Sequence, residues 1–150
     1  MTETQAVYTL DSTIETVNQA EETATRIAAG AGFEDEDVMR ISMAVREGTI
    51  NAVLHGNDYD PVKKVGLRFE RTDDDLVITI TDQGPGLDPN KIPDPLAPEN
   101  LLKTSGRGIF LIRSFMDDVQ FRPIHPGAEY PGTEIRMIKH VHGVGQGQMS

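Results

Sequence analysis

Cysteine is absent from the chain, which excludes disulfides, thiol catalysis and thiolate metal sites. Positive charge is scarce: 14 basic against 24 acidic side chains leave a formal charge of -10. Phosphate-rich polymers and anionic membrane surfaces are repelled on average, so neither nucleic acid nor membrane is expected as a main partner. A pocket for one nucleotide survives this argument, because a local field need not follow the net charge. No apolar run reaches the roughly 20 residues that span a bilayer. The N-terminus, MTETQAVYTL, lacks the basic region and apolar core of a secretion signal. These absences fit a cytoplasmic protein. Repeats and an interdomain linker are missing too. The 150 residues therefore read as one domain, with a core over about residues 6–140 and a Gly- and Gln-rich flexible tail over 141–150.

What is present is ordinary for a globular chain: 37% apolar and 25% charged residues. Ala6 to Leu10 suits a short opening strand. Ser12 with Glu15 matches a capping box, and Ile14, Val17, Ala20, Ala24 and Ile27 recur at helical spacing up to Gly30 and Gly32. A second helix is predicted from about Asp35 to His55, with Val38, Ile41, Val45 and Ala52 as its apolar stripe; Gly56, Asn57 and Pro61 end it. Val65, Leu67 and Phe69, then Leu76, Ile78 and Ile80, alternate with their neighbours, which predicts a hairpin turning at Asp73 to Asp75. From Asp82 to Ser105 periodicity is lost and Pro85, Pro89, Pro93, Pro95 and Pro98 crowd the stretch. A loop of that length inside a compact domain is commonly functional, and it reads as a lid over a ligand site. Gly108 to Met116 suits a third helix, with Val119 to Phe121 and Thr133 to Ile138 as closing strands. Strands grouped in pairs with three helices predict an α+β fold: a mixed, mostly antiparallel sheet with helices on one face.

Three segments carry the chemistry. EGTINAVLHGN, from Glu47 to Asn57, puts Glu47, Asn51 and His55 along one helix face. An Asn carbonyl suits a hard divalent cation, and a Glu one turn earlier suits a proton acceptor beside it. Taken alone, the pair also fits an exposed polar face. His55 either meets a nucleotide pocket or caps the helix C-terminus, and the cap is preferred. DQGPGL, from Asp82, puts a carboxylate at a strand exit before Gly84 and Gly86. That carboxylate can accept a hydrogen bond from the amine of adenine, and glycines let the backbone approach a flat base. Alone it also fits a plain turn. TSGRGI, from Thr104 to Ile109, sets Gly106 and Gly108 at a helix start, where free N–H groups suit phosphate; Lys103 and Arg107 add charge. Alone it also fits a capped helix with an exposed Arg. There is no P-loop and no dinucleotide fingerprint. His125, His140 and His142 show no metal-site spacing.

In that order and spacing, the three segments resemble the N, G1 and G2 boxes of the GHKL ATP-binding superfamily. Within it, EGTINAVLHGN, DQGPG, SGRGIFLIRSFMDDV and the closing GTEIRM resemble the small bacterial anti-sigma factor serine/threonine kinases, over roughly Tyr8 to His140. About 35 residues precede the Glu-bearing helix, too few for the dimerising region of a sensor histidine kinase. The resemblance implies a Bergerat-type two-layer α/β sandwich binding ATP with Mg²⁺ under the lid. It makes Glu47 the general base, Asn51 the magnesium ligand and Asp82 the adenine contact. Gly84 and Gly86 then shape the adenine side. Lys103, Thr104, Ser105, Gly106, Arg107 and Gly108 form the phosphate side, and Thr133 supports Asp82. The implied substrate is a serine or threonine of an anti-anti-sigma STAS-domain protein, with a sigma factor as second partner and a homodimer as the assembly. The alternative reading is an ATP-binding sequestering protein without significant kinase activity.

Overall fold

The computed structural model describes residues 4–86 and 104–141. The lid stretch 87–103, with Lys103, and the tail from residue 142 lie outside them. In chain order the elements are β1 (Thr4–Asp11), α1 (Ile14–Gly30), α2 (Asp35–Ile50), a π-helical turn (Asn51–Gly56), β2 (Lys64–Arg71), β3 (Asp75–Asp82), α3 (Thr104–Phe115), β4 (Asp118–Pro123) and β5 (Thr133–His140). The strands form one sheet in the order β1-β2-β3-β5-β4, with every pairing antiparallel.

Alternation decides which face is covered. Val65, Leu67 and Phe69 on β2, Leu76, Ile78 and Ile80 on β3, and Ile135 and Met137 on β5 are buried in one core. The helices contribute Val17, Ala20, Ala24 and Ala28 from α1, Ile41, Ala44 and Val45 from α2, and Ile109 and Ile112 from α3. Gly48 brings α2 down onto the sheet: a Cβ there would stand 2.7 Å from Ile80 Cδ1, with Ile112 and Met137 next. The fold is therefore α+β, an antiparallel sheet with its helices on one face. The opposite face carries Val7, which is 65% exposed. Among the described residues no helix is long and apolar enough to cross a membrane.

Local structure departs from the sequence pattern in four places. Thr13, not Ser12, caps α1, its Oγ1 accepting from the Thr16 N–H at 3.3 Å. Ser12 is drawn inward instead and donates to the Lys63 carbonyl at 2.6 Å. Ile14 is 51% exposed, and the buried stripe of α1 closes on Ala28. The second helix does not stay α-helical to His55: from Asn51 it widens into the π turn, whose end is tied by the Asn57 N–H donating to the Ala52 carbonyl at 2.8 Å. The third helix starts earlier than the periodicity implied, at Thr104. At the far end of the sheet Lys139 is 8% exposed, and its Nζ donates to the Phe115 carbonyl at 2.9 Å and lies 3.7 Å from Asp37 Oδ1. That one ammonium joins the end of α3 to the start of α2.

Candidate functional site

Antiparallel pairing sets Asp82, the last residue of β3, opposite Thr133, the first of β5. The Asp82 carboxylate is buried, and its Oδ1 accepts from the backbone N–H of Gly84 at 2.9 Å and of Thr133 at 3.2 Å. Burial pushes its pKa up; the Gly84 and Thr133 N–H groups and the charge of Lys63 oppose the shift. The carboxylate is hemmed in by backbone. A Cβ on Gly56 would collide with it, and a Cβ on Gly84 would collide with the Gly56 carbonyl. Only glycine at position 84 lets the two segments come this close. The Gly132 N–H donates to the Gly84 carbonyl at 2.9 Å and completes the wall.

The other end lies along α2. Glu47 is half-buried, and burial raises its pKa against the pull of the Arg46 charge. Gly108, in the first turns of α3, faces it: a Cβ there would lie 2.9 Å from Glu47 Oε1. The second turn of α3 therefore abuts a carboxylate that takes a proton more readily than an exposed one. Between the two ends stands Asn51, 8% exposed at the first position of the π turn. Its Nδ2 is buried with no hydrogen-bond partner among the described residues. A buried amide left without a protein partner costs about 1–3 kcal/mol, which suits a position that a ligand completes. A half-turn of the amide offers its oxygen to the same place.

The expected residues thus divide as follows. Glu47 meets Gly108, Asp82 meets Gly84 and Thr133, and α2 with its π turn is the rod joining the two groups through Asn51. The Thr133 contact comes from its main-chain N–H. Gly86 is exposed at φ +98. Thr104, Ser105, Gly106 and Arg107 form the first turn of α3, and His55 is exposed at the end of the π turn. Sequence reasoning missed Asn57, which is 0% exposed. In the sequence it read only as a helix stop. A cavity of about 530 Å³ also touches Asp82, but it opens on the helix-free face beside Thr9, Gly66 and Thr81.

A buried carboxylate flanked by glycines at the end of β3, an amide without a partner among the described residues and a half-buried carboxylate one turn before it are set along one side of the helical layer. Residues 10–139 match the family described as the histidine kinase-like ATPase domain. The chain belongs to this family. Within the family its likeness is to the anti-sigma kinases. The serine-protein kinase RsbW of Staphylococcus epidermidis is 31% identical over 139 residues, covering 88% of this chain and 84% of that one. The anti-sigma F factor of Oceanobacillus iheyensis is 33% identical over 110 residues, 71% of each chain. A crystal structure of the RsbU and RsbW domains of a Mycobacterium tuberculosis protein superposes with a TM-score of 0.63 at 16% identity, over 91% of this chain and 31% of that one. At that identity the likeness speaks for the fold.

The residues present fit the nucleotide that a histidine kinase-like ATPase domain implies. Among the described residues no group of three His, Asp or Glu could hold a metal by itself. Magnesium needs no such cage: it keeps waters and binds through few protein oxygens and the substrate phosphates.

Proposed function

We propose that this chain is an ATP-dependent serine/threonine protein kinase and anti-sigma factor. It transfers the γ-phosphate of ATP to a Ser or Thr hydroxyl of an anti-anti-sigma STAS-domain protein. The observation that carries this reading is the half-buried Glu47 carboxylate set against Gly108 at the start of α3, one helical turn before the unpartnered Asn51. A pure binding module has little use for a proton acceptor in that position.

In this reading Asp82 accepts a hydrogen bond from the adenine amine, in a wall that Gly84 brings close. Asn51 offers its amide oxygen to magnesium, and the N–H groups at the start of α3 receive phosphate oxygens. Magnesium, when bound, supplies positive charge that neutralises the phosphates. Glu47 orients the incoming hydroxyl and takes its proton as the new O–P bond forms and the bond to the β-phosphate oxygen breaks, leaving ADP. Lys103 and Arg107 add charge on the phosphate side. The unphosphorylated STAS protein competes with a sigma factor for the kinase, which works as a homodimer in the cytoplasm.

The test is incubation of the protein with labelled ATP, magnesium and the STAS-domain protein encoded beside it. Label on a Ser or Thr of that protein supports the kinase. Tight nucleotide binding without label, over hours, rejects the kinase and leaves a sequestering protein.

A further inference from the structure

Asn57 closes the EGTINAVLHGN segment, yet neither the nucleotide nor the phosphate reading uses it. Its side chain is sealed from solvent and fully engaged. Oδ1 accepts from the Gln83 N–H at 2.7 Å. Nδ2 donates to Ser12 Oγ at 2.9 Å and to the Lys64 carbonyl at 3.0 Å. The network runs on: Gln83 Oε1 accepts from the Lys64 N–H at 2.5 Å. Four chain segments thus meet on one amide: the entry to α1, the exit of the π turn, the start of β2 and the exit of β3.

Two of these contacts bear on Asp82 from opposite sides. Gln83 follows Asp82 directly, so its N–H, held by Asn57, fixes the peptide that leads from Asp82 to Gly84. Gly56 precedes Asn57 directly, and Gly56 is the backbone packed against the Asp82 carboxylate. Asn57 therefore holds both walls of the slot in which that carboxylate lies. Its own N–H ties off the π turn that carries Asn51.

We propose that Asn57 is a positioning residue for base selectivity: it aims the Asp82 carboxylate so that adenine is accepted and guanine refused, without touching the base. The inference rests on the reading of Asp82 as the adenine contact. Adenine offers an amine donor where guanine offers a carbonyl oxygen, so a carboxylate aimed at that point attracts one and repels the other. Discrimination of this kind depends on direction, because hydrogen bonds weaken steeply off line.

The test is calorimetric titration of the full chain with ATP and with GTP, magnesium present, beside thermal melts. Three variants are compared. Asn57→Ala deletes the whole node. Asn57→Asp keeps the acceptor for Gln83 at nearly the same volume. Ser12→Ala loses one partner of the same buried network but leaves Gln83 held. The parent is expected to prefer ATP. Asn57→Ala is expected to shrink the ATP-over-GTP ratio at least tenfold, Asn57→Asp to retain more of it, and Ser12→Ala to keep it while its melting temperature falls. A parental ratio in Asn57→Ala together with a lowered melting temperature overturns the proposal; should the alanine variant not fold, Asn57→Leu, of similar volume and with no acceptor for Gln83, is read in its place. A ratio in Ser12→Ala that collapses as far as in Asn57→Ala overturns it as well. A parent with no affinity for ATP rejects the nucleotide reading itself, a different outcome from a parent that binds and variants that keep its preference.

Discussion

Burial lifts the pKa of Glu47 above its ordinary value of 4.5. A general base works only when deprotonated, so transfer is expected to fall as pH drops through the raised value. The acid limb of the pH–rate profile then stands above that of an exposed glutamate, and a limb at the ordinary position rejects Glu47 as the base. Glu47→Gln is expected to lower transfer roughly 10²–10⁴-fold with nucleotide affinity nearly intact; equal loss of both rejects the assignment. Asp82 gives a test of opposite kind. Its raised pKa means that the folded chain holds the proton more tightly than the unfolded one. That contribution to stability is full below 3.8 and is lost as pH rises through the raised value. Asp82→Asn keeps an acceptor for Gly84 and Thr133 and removes the buried charge. Melts from acid to neutral pH are expected to lose this dependence, with the variant gaining stability at neutral pH. Its ATP affinity is expected to fall roughly tenfold or more, the worth of one charge-assisted hydrogen bond. A variant that melts higher and binds ATP as the parent does removes Asp82 from the adenine contact.

Elements were legible where one periodicity governs a whole face. The alternation through Val65, Leu67 and Phe69 and through Leu76, Ile78 and Ile80 gave the hairpin, and the 82-to-133 pairing then delivered Asp82 where the DQGPG segment needs it. The π turn was not legible, because the side chains of EGTINAVLHGN continue a helical pattern while the backbone widens by one residue per bond. Its cause is tertiary: Asn57 is held by Ser12, 45 residues away, and by Gln83, 26 residues away. The same network explains the misplaced cap. Ser12 is intrinsically the better capping hydroxyl of the two, but it is claimed by Asn57 and the Lys63 carbonyl. Thr13→Ala is accordingly expected to cost about 1 kcal/mol in denaturant unfolding, the usual worth of an N-cap. Gly108→Ala tests the contact between elements. The added methyl is tight only against Glu47 Oε1, the far end of a side chain that can move aside, while Glu47 Cβ at 3.7 Å is in ordinary contact. Folding and melting temperature are expected to hold while transfer falls; unchanged transfer would separate α3 from the base.

At the scale of the whole molecule, three helices cover one sheet face, and among the described residues no helix covers the other, from which Val7 projects at 65% exposure. If the proposed homodimer exists and buries this face, Val7→Lys is expected to shift light-scattering mass from two chains to one without loss of nucleotide binding; a dimer of unchanged strength puts the interface elsewhere. The net charge of -10 excluded nucleic acid from the sequence reading, yet it gave no hint of where one cation would matter. Lys139 is that cation. It pins the last carbonyl of α3 to the sheet and to Asp37, so α3 is fastened at the end away from Gly108. Gly108 stands seven residues from this anchorage, a lever arm of roughly 10 Å at 1.5 Å per residue, so a tilt of about 6° swings it by about 1 Å. Displacements of that size at a reacting centre alter rates by about a hundredfold. On the proposed reading of Glu47 as the base, a partner that leans on the other end of α3 would have a throttle on proton removal, with its fulcrum built into the opposite end of the fold.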